Sequence, residues 1–432
     1  MKEHGTEIYN LVSSLFPICR SITGDGVRES LKIISKSIPL KITEVPSGTK
    51  CFDWVVPAEW NIRGAFIADP DGKRVIDFRK NNLHVIGYSE PVKCDLTLEE
   101  LKSHLHFDEN HPEAIPYLTS YYQRRWGFCL SKRSFDRLKK GTYHVEIDSS
   151  FNEKGSLTYA EAFIPGKRRK EIVFSSYICH PSMANDSLSG VALTVKLCEY
   201  IMKRGGSHYS YRFLFVPETI GSIAYLSKNR TRMMRDTYCG MVLTCLGDNG
   251  NFLYKRTRCW HELDKITENI LKFSGHPYGT VDFFPSGSDE RQYSSPGFNL
   301  PFGSLTRSLY GKFPEYHTSA DDLDFVNAKS MGETFDMYTG IIEALEYNGF
   351  YVNRKPFCEP FLSKYGLYST LGSQKYGQVG TTEILYVLNF SDGNTSLADI
   401  AGKMNQPISK IIGTARLLEE KGLIGRKNNS QK

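Results

Sequence analysis

The sequence lacks the long apolar runs and the cysteine pattern of a membrane or secreted protein. No stretch approaches the roughly 20 apolar residues that cross a bilayer. The opening MKEHGTEIYNLVSSLFPICR is too polar and too interrupted for a signal peptide. The 10 cysteines contain no Cys-x-x-Cys pair, and Cys179, Cys198 and Cys245 lie inside apolar runs. Scattered cysteines of this kind are typical of buried free thiols in a reducing compartment. We therefore expect a cytoplasmic protein with no membrane partner.

A strong charge of one sign is also missing. The net charge of +6 is small for 432 residues and does not indicate binding to nucleic acid or to a membrane surface. Hydrophobic residues at 40% and charged residues at 24% are ordinary for a soluble globular protein. The sequence contains no internal repeat and no low-complexity segment. A chain of this length has room for two or three domains.

Changes in the pattern of apolar, polar and turn residues divide the chain into three regions. Residues 1–48 and 140–350 carry the strand and helix patterns of a main domain, which include a predicted hairpin over 143–164. Residues 49–139, called the insert below, contain short strands, a turn at Asp71-Gly72 and an aromatic, arginine-rich end. Because this end rejoins the main domain just before its central strand, we expect the insert to cover one side of the site described next.

The third region, residues 356–432, predicts three helices with the spacing of a winged helix-turn-helix domain. The last residues, 425–432, are expected to be disordered. Near the N-terminus, Arg20 follows a predicted helix, and we expect it to be a solvated helix-end charge instead of a substrate-binding residue.

The most informative stretch is EIVFSSYICHPSMANDSLSG, residues 171–190. It begins with a short apolar run that predicts a buried strand. His180 follows the strand, Asp186 lies six residues further on, and a helical pattern then begins. An imidazole and a carboxylate at the carboxyl end of one strand are what a zinc site in an α/β sheet requires.

Other strands of the main domain end in similar residues. Glu218 follows YRFLFVP, Asp248 ends the predicted strand MVLTCLGD, and His317 lies in the loop after LPFGSLTR. Strand and helix alternate, so we predict an α/β fold with a twisted, mostly parallel sheet and helices on both faces. The carboxyl ends of parallel strands meet in one crevice. Each residue alone could be an ordinary loop or helix-cap residue, but together they indicate a metal site.

Four short motifs at these positions resemble the metal motifs of the zinc aminopeptidase family that includes bacterial leucyl aminopeptidases: HPSMANDSLSG, PETIG, LGD and EYHTSADD. The chain as a whole resembles a bacterial group of aminopeptidase-like proteins with an inserted small domain and a C-terminal winged helix. The aminopeptidase resemblance covers residues 1–48 and 140–350. It implies a zinc exopeptidase-like sheet and cleavage of N-terminal peptide bonds with one or two zinc ions.

The resemblance also implies a role for each residue. His180 would bind the first zinc ion, and Asp186 would bridge both ions. Asp248 would be a further ligand of the first ion, and His317 a ligand of the second. Glu218 would be the general base that takes a proton from the metal-activated water and later gives it to the leaving amine.

One position departs from the family pattern. The family has two adjacent glutamates, of which the second binds the second zinc ion, whereas this chain has Glu218-Thr219. A neutral hydroxyl is a poor zinc ligand. Either one zinc ion is bound by some of the four ligands above, or Glu290 replaces the missing carboxylate. Asp289, Glu290 and Arg291 have two further interpretations: binding the substrate's amine or carboxylate, or forming an exposed charged turn.

Three functions compete at this stage. The first is a zinc-dependent hydrolase of the aminopeptidase type, acting on a small peptide or amide. The second uses the same site to cleave, or transfer to, a non-peptide amide such as an acylated amino sugar in surface-polysaccharide metabolism. The third is a ligand-sensing regulator with a DNA-binding winged helix.

Charge argues against the regulator. Residues 381–432 contain seven Lys or Arg and five Asp or Glu, a net +2 (7 − 5) that is low for a DNA reader. We therefore expect no nucleic-acid partner. The expected role of the C-terminal domain or the insert is protein contact, including homo-oligomer formation.

Overall fold

The computed structural model describes residues 2–367 and 380–427. The chain forms two compact units. The first comprises Met1–Arg258 and Val281–Phe335, and the second comprises Cys259–Thr280 and Asp336–Lys432. Each unit is considered by itself below.

The helices of the described residues are α1 (Lys2–Leu15), α2 (Asp25–Ile34), α3 (Leu98–Lys102), α4 (Lys132–Asp136), α5 (Gly190–Arg204), α6 (Ile220–Asp236), α7 (Glu262–Phe273), α8 (Glu290–Tyr293), α9 (Ala328–Tyr347), α10 (Thr381–Phe390), α11 (Leu397–Met404) and α12 (Ile408–Glu420). None of them has both the length and the apolar character that a bilayer crossing needs.

The strands are β1 (Lys41–Pro46), β2 (Lys50–Cys51), β3 (Trp54–Val55), β4 (Glu59–Ala68), β5 (Arg74–Asp77), β6 (Val92–Thr97), β7 (Leu105–His106), β8 (Phe128–Cys129), β9 (Thr142–Asn152), β10 (Ser156–Ile164), β11 (Glu171–Tyr177), β12 (Ser210–Val216), β13 (Thr237–Val242), β14 (Phe252–Lys255), β15 (Tyr278–Val281), β16 (Phe302–Thr306), β17 (Phe350–Asn353), β18 (Asp392–Ser396) and β19 (Ile424–Arg426).

The large sheet of the first unit runs in the order β1-β10-β12-β11-β13-β16-β14. Its four central strands, β12, β11, β13 and β16, are parallel, whereas β1 and β10 on one side and β14 on the other pair antiparallel. Every residue of β11 is buried, as expected for a strand covered on both faces. The predicted α/β class is confirmed, and the sheet is mixed, with its parallel part at the centre.

The insert forms a second sheet in the order β5-β4-β9-β6. The predicted turn at Asp71-Gly72 joins β4 to β5, which pair antiparallel. The predicted hairpin over 143–164 is wrong, because β9 pairs with β4 and β6 while β10 joins the large sheet. The insert sheet therefore extends beyond the predicted boundary at 139. The sequence could not show this, because two consecutive strands have the same alternating pattern whether or not they pair with each other.

The second unit contains the winged helix. Its sheet, β18-β17-β19, accompanies α10, α11 and α12. Strand β17 lies before the predicted start at residue 356. Gly425 and Arg426, predicted to be disordered, pair with β17, and the rest of the predicted tail from 428 onward lies outside the described residues. Helix α7, from the middle of the sequence, also belongs to this unit.

An ion-pair network attaches the insert sheet to the main domain. Arg28 on α2 donates to both carboxylate oxygens of Glu59 on β4, at 2.8 and 2.7 Å. The same guanidinium contacts Glu44 on β1 at 3.3 Å and Ser156 on β10 at 3.0 Å. The Glu59 side chain is 9% exposed. Hydrogen bonds from Arg28 hold the pKa of Glu59 below its ordinary 4.5.

Replacing Arg28 with Met should destabilise the protein in a pH-dependent way. At about pH 7 we expect a loss of about 1.5–3 kcal/mol in unfolding free energy, the range for hydrogen bonds to charged groups. The folded-state pKa of Glu59 is depressed, so its stabilisation is present above 4.5 and is lost as the pH falls through the folded-state value. The difference between wild type and variant should therefore shrink at acidic pH in urea unfolding experiments.

The matched control is Arg63→Met, which removes an exposed pair with Asp148 in the same sheet. Its unfolding midpoint should stay close to that of the wild type. An Arg28→Met effect of equal size at neutral and acidic pH would contradict the role given to Glu59.

Candidate metal centre

The predicted site residues lie beyond the carboxyl ends of the parallel strands. His180 and Asp186 belong to the loop between β11 and α5, and Glu218 lies between β12 and α6. His317 belongs to the long loop between β16 and α9. The fully buried strands fix where these loops begin, so the loops share one edge of the sheet.

Three of these residues converge on one point. Ligand atoms of His180, Asp186 and His317 all lie within 4.8 Å of one another. The three side chains are 3%, 0% and 34% exposed, respectively. Asp186 Oδ2 lies 3.1 Å from His317 Nε2, yet neither buried atom makes a hydrogen bond. Two imidazoles and one carboxylate, with ligand atoms of Asp186 and His317 unpartnered, fit a zinc ion.

The protonation states suit metal binding. Burial lowers the pKa of His180 to about 4, so the imidazole is neutral, as a ligand must be. Burial alone would raise the pKa of Asp186, but His180, His317 and the Tyr177 hydroxyl together bring it well below its usual range. Asp186 is therefore an ionised carboxylate. Its second oxygen, Oδ1, accepts hydrogen bonds from Tyr177 and, at 3.0 Å, from Thr244.

Asp321 holds the metal-binding loop in place, and the sequence analysis assigned it no role. Its carboxylate accepts the backbone N–H groups of Asn185 at 2.6 Å and of Asp186 at 2.8 Å. Asp321 lies four residues after His317 in the EYHTSADD loop. One loop thus supplies both a candidate ligand and the residue that orients Asp186. The sequence did offer one signal for this role, because Asp321 is an acidic residue close to the candidate ligand His317.

Glu218 lies beside this group and is not part of it. Its Oε2 is 3.7 Å from His180 Nε2, and its side chain is 23% exposed. Burial and the nearby Asp289 and Asp186 carboxylates raise the pKa of Glu218 well above 4.5. The carboxylate thus lies at the edge of the candidate zinc site, and its role as general base stays a prediction.

The structure does not bring Asp248 into the group. Asp248 Oδ2 accepts from Asn185 at 2.7 Å, and Oδ1 accepts from Ser308 at 2.7 Å and from the Gly250 backbone at 2.5 Å. The predicted strand reached Asp248, but β13 ends at Val242. Between the end of β13 and Asp248, the Thr244 hydroxyl donates to Asp186 Oδ1 at 3.0 Å.

Asp289, Glu290 and Arg291 are packed against the site and do not form an exposed charged turn. Asp289 Oδ1 accepts from the Thr219 backbone at 2.8 Å and from Ser222 at 2.9 Å. Arg291 Nη2 donates to Thr219 Oγ1 at 2.9 Å. Each of the three side chains leaves one buried atom without a hydrogen bond: Asp289 Oδ2, Glu290 Oε2 and Arg291 Nε.

Glu290 lies outside the group of converging ligand atoms found among the described residues. Its Oε1 is 2.5 Å from Lys255 Nζ and accepts from the Tyr310 hydroxyl at 2.6 Å. Both members of the ion pair are buried, at 0% and 1% exposure. Substrate binding by residues 289–291 stays a prediction.

The insert covers one side of the site. Tyr117 donates its backbone N–H to the His317 carbonyl at 2.8 Å. Its ring centroid lies 5.4 Å from that of His180 and 5.1 Å from that of His317. The prediction that the insert lines the crevice is confirmed. Conversely, the expected solvation of Arg20 is wrong: it is 2% exposed and donates to the His180 carbonyl at 3.0 Å.

Four of the non-glycine residues with positive φ lie around the site. Ser182, Thr219, Cys245 and His317 have φ values of +40°, +62°, +55° and +55°. Non-glycine residues seldom adopt this region, and a β-branched threonine adopts it least readily. Such residues tend to cluster at functional sites.

Comparison with known proteins identifies the family. A sequence profile described as a domain of unknown function, DUF4910, matches residues 9–348. The chain belongs to the DUF4910 family. A winged helix-turn-helix profile matches residues 349–426. A relative from Clostridium acetobutylicum is provisionally named a polysaccharide biosynthesis protein with an aminopeptidase-like domain. It is 51% identical to this chain, and the match covers 95% of this chain and 94% of the relative. The predicted aminopeptidase-like chain with a winged helix is confirmed.

Solved structures show which known fold this DUF4910 protein has. A Clostridium acetobutylicum crystal structure with a provisional peptidase designation has a TM-score of 0.93 at 48% identity, over 99% of this chain and 97% of that one. A zinc aminopeptidase from Bacillus subtilis has a TM-score of 0.57 at 10% identity, over 79% of this chain and 95% of that one. The fold is therefore that of the zinc aminopeptidases.

His180→Ala should abolish stoichiometric zinc binding, because it removes one of three converging ligands. Loss of a residue that only hydrogen-bonds a metal ligand lowers metal affinity about 10- to 100-fold, and we expect the loss of His180 itself to lower zinc affinity further. Asp248→Asn is the matched control and should keep one zinc ion per chain, since Asp248 lies outside the group. Mass spectrometric metal analysis after equilibrium dialysis measures both. Full zinc occupancy at native affinity in His180→Ala would refute the assignment.

Proposed function

We propose that this protein is a zinc-dependent hydrolase that cleaves an amide bond with Glu218 as general base. One observation carries the proposal: the unpartnered ligand atoms of Asp186 and His317 converge with His180, and Glu218 Oε2 lies 3.7 Å from His180 Nε2. A metal site with a free carboxylate at its edge is the arrangement that metal-assisted hydrolysis requires.

The chemistry divides between the metal and the chain. When bound, zinc supplies a Lewis acid that acidifies water toward a pKa of about 7 and polarises the substrate carbonyl. Glu218 takes the proton from the attacking water and passes it to the leaving nitrogen. Burial and the neighbouring carboxylates raise the pKa of Glu218 above the ordinary 4.5, which makes it a stronger base than a free glutamate.

Aromatic residues position the ligands and restrict water. Tyr316 stacks on His317 with ring centroids 3.9 Å apart, and Tyr117 stands edge-on to both histidines. These contacts limit rotation of the half-exposed His317 ring. They also surround the site with apolar surface, where electrostatic interactions with the reacting atoms are stronger than in water.

A second candidate is the hydrolysis of a non-peptide amide, such as an acylated amino sugar. The relative's name, which links that protein to polysaccharide biosynthesis, favours it. The unpartnered polar atoms of residues 289–291 are compatible with a donor-rich substrate of either class. Parallel assays with leucine p-nitroanilide and with N-acetylglucosamine distinguish the two candidates.

Glu218→Gln should keep zinc and lose turnover on whichever substrate is cleaved. General-base catalysis contributes about 10²- to 10⁴-fold, so kcat should fall by that factor. Glu153→Gln, an exposed glutamate of the first unit, is the control and should not change kcat. Loss of zinc from Glu218→Gln would instead assign Glu218 to the coordination shell.

We propose that the winged helix contacts another protein surface and does not bind DNA. In helix-turn-helix proteins, the N-terminal residues of the recognition helix contact the bases. Here α12 would be that helix, and Asn269 of α7 caps its N-terminus. Asn269 Oδ1 accepts from the Ile408 backbone at 2.8 Å, and its amide donates to the Gln406 carbonyl at 3.0 Å. Helix α7 therefore occupies the position beside the N-terminus of α12 that the major groove of DNA would have to reach.

Binding to random duplex DNA should be weaker than the about 10⁻⁶ M end of the nonspecific range at physiological salt. Fluorescence anisotropy at about 0.15 M salt, the physiological ionic strength, measures it. Arg416→Glu, on the exposed side of α12, should not alter the signal. Micromolar binding with a steep salt dependence that Arg416→Glu removes would restore the regulator hypothesis.

A further inference from the structure

The number of metal ions depends on which carboxylate oxygens are free. Asp186 has one free oxygen, Oδ2, which faces His317. Its other oxygen, Oδ1, accepts hydroxyl donors from Tyr177 and Thr244. These donors direct hydrogen atoms at Oδ1 from inside the protein, so a cation cannot approach it. A carboxylate with one accessible oxygen can bind one metal ion but cannot bridge two.

A guanidinium occupies the place beside Glu218 where a second ligand would be needed. Thr219 follows Glu218, and its hydroxyl accepts from Arg291 Nη2 at 2.9 Å. The Thr219 backbone N–H donates to Asp289 Oδ1 at 2.8 Å. Both polar groups of Thr219 that could face the site are therefore engaged by the segment 289–291.

This guanidinium already offsets part of the local negative charge. Glu218 and Asp289 place two carboxylates around Thr219, and Arg291 acts on both of them electrostatically. The Arg291 Nε–H is buried and has no hydrogen-bond partner. A second metal ion in this space would meet a fixed positive charge within a few ångströms, where repulsion is only weakly screened.

Asp248 cannot supply the missing ligand either. Its two oxygens are held by Asn185, Ser308 and Gly250. Among the residues that the structure describes, His180, Asp186 and His317 are the group with converging ligand atoms. That group provides three protein ligands, which is the number a single catalytic zinc ion takes while keeping an open position.

We infer that the centre binds a single zinc ion, on His180, Asp186 and His317, and that the Arg291 guanidinium takes the place of a second cation. This inference rests on the zinc site of the proposed function but not on hydrolysis. It also replaces the expectation that Asp186 bridges two ions and assigns Arg291 an electrostatic role in the centre.

The test compares two variants that differ only at Arg291. Thr219→Glu/Tyr177→Phe adds a carboxylate beside Glu218 and removes one donor from Asp186 Oδ1, while Arg291 is retained. The remaining donor to Oδ1, the Thr244 hydroxyl, can rotate its hydrogen away from a cation. The triple variant adds Arg291→Met. Each protein is saturated with zinc and gel-filtered, and zinc per chain is measured by mass spectrometry. We expect one zinc ion in the wild type and in the double variant, and two in the triple variant. Arg235→Met, an exposed arginine beside Asp236, should keep one.

Two zinc ions in the wild type or the double variant would overturn the inference, as would a folded triple variant with one. If the triple variant does not fold, anomalous scattering from wild-type crystals at the zinc edge decides the question. One peak at His180, Asp186 and His317 supports the inference, and a second peak near Arg291 refutes it. Absence of zinc from the wild type would instead refute the proposed function, so the two failures are distinguishable.

Discussion

A buried negative charge on Asp186 is the constraint on which the site depends. Moving a carboxylate out of water costs several kcal/mol even after the protein relaxes. The surrounding residues compensate it from two sides: hydroxyl donors from Tyr177 and Thr244 reach Oδ1, and the imidazole of His317 lies 3.1 Å from Oδ2. Asp321 fixes the backbone that carries the charge. A bound cation would complete this compensation, which explains why the ligand atoms stand close together without hydrogen bonds.

The sequence predicted the convergence of His180, Asp186 and His317 because that prediction needs only buried strands and parallel order. Both are visible in apolar runs that alternate with helical patterns. Asp248 shows where this reasoning fails. An apolar run does not reveal the residue at which pairing stops, and the end of β13 at Val242 leaves Asp248 on a turning loop. Arg20 shows a second failure, because nothing in its local sequence indicates a buried carbonyl 160 residues away.

Domain boundaries were harder to predict for a related reason. Strands β9 and β10 are neighbours in sequence but pair in different sheets, and pairing depends on partners that are distant in the chain. Helix α7 belongs to the same unit as the winged helix, and this association left no local signal in the sequence. Lys265 on α7 contacts Asp399 on α11 at 2.8 Å, a contact that spans 134 positions. Local patterns therefore specified the elements, whereas long-range contacts decided how they associate.

The position of Arg291 has a consequence for how the centre depends on its surroundings in the cell. A metal ion exchanges with the free pool, so its occupancy follows supply and is lost to chelators. A guanidinium is part of the polypeptide and carries its charge at any physiological pH. With Arg291 beside Thr219, one of the two cations of the centre would be present in every molecule from the moment of folding. Such a centre would keep this cation at zinc levels that leave a centre with two metal ions partly empty.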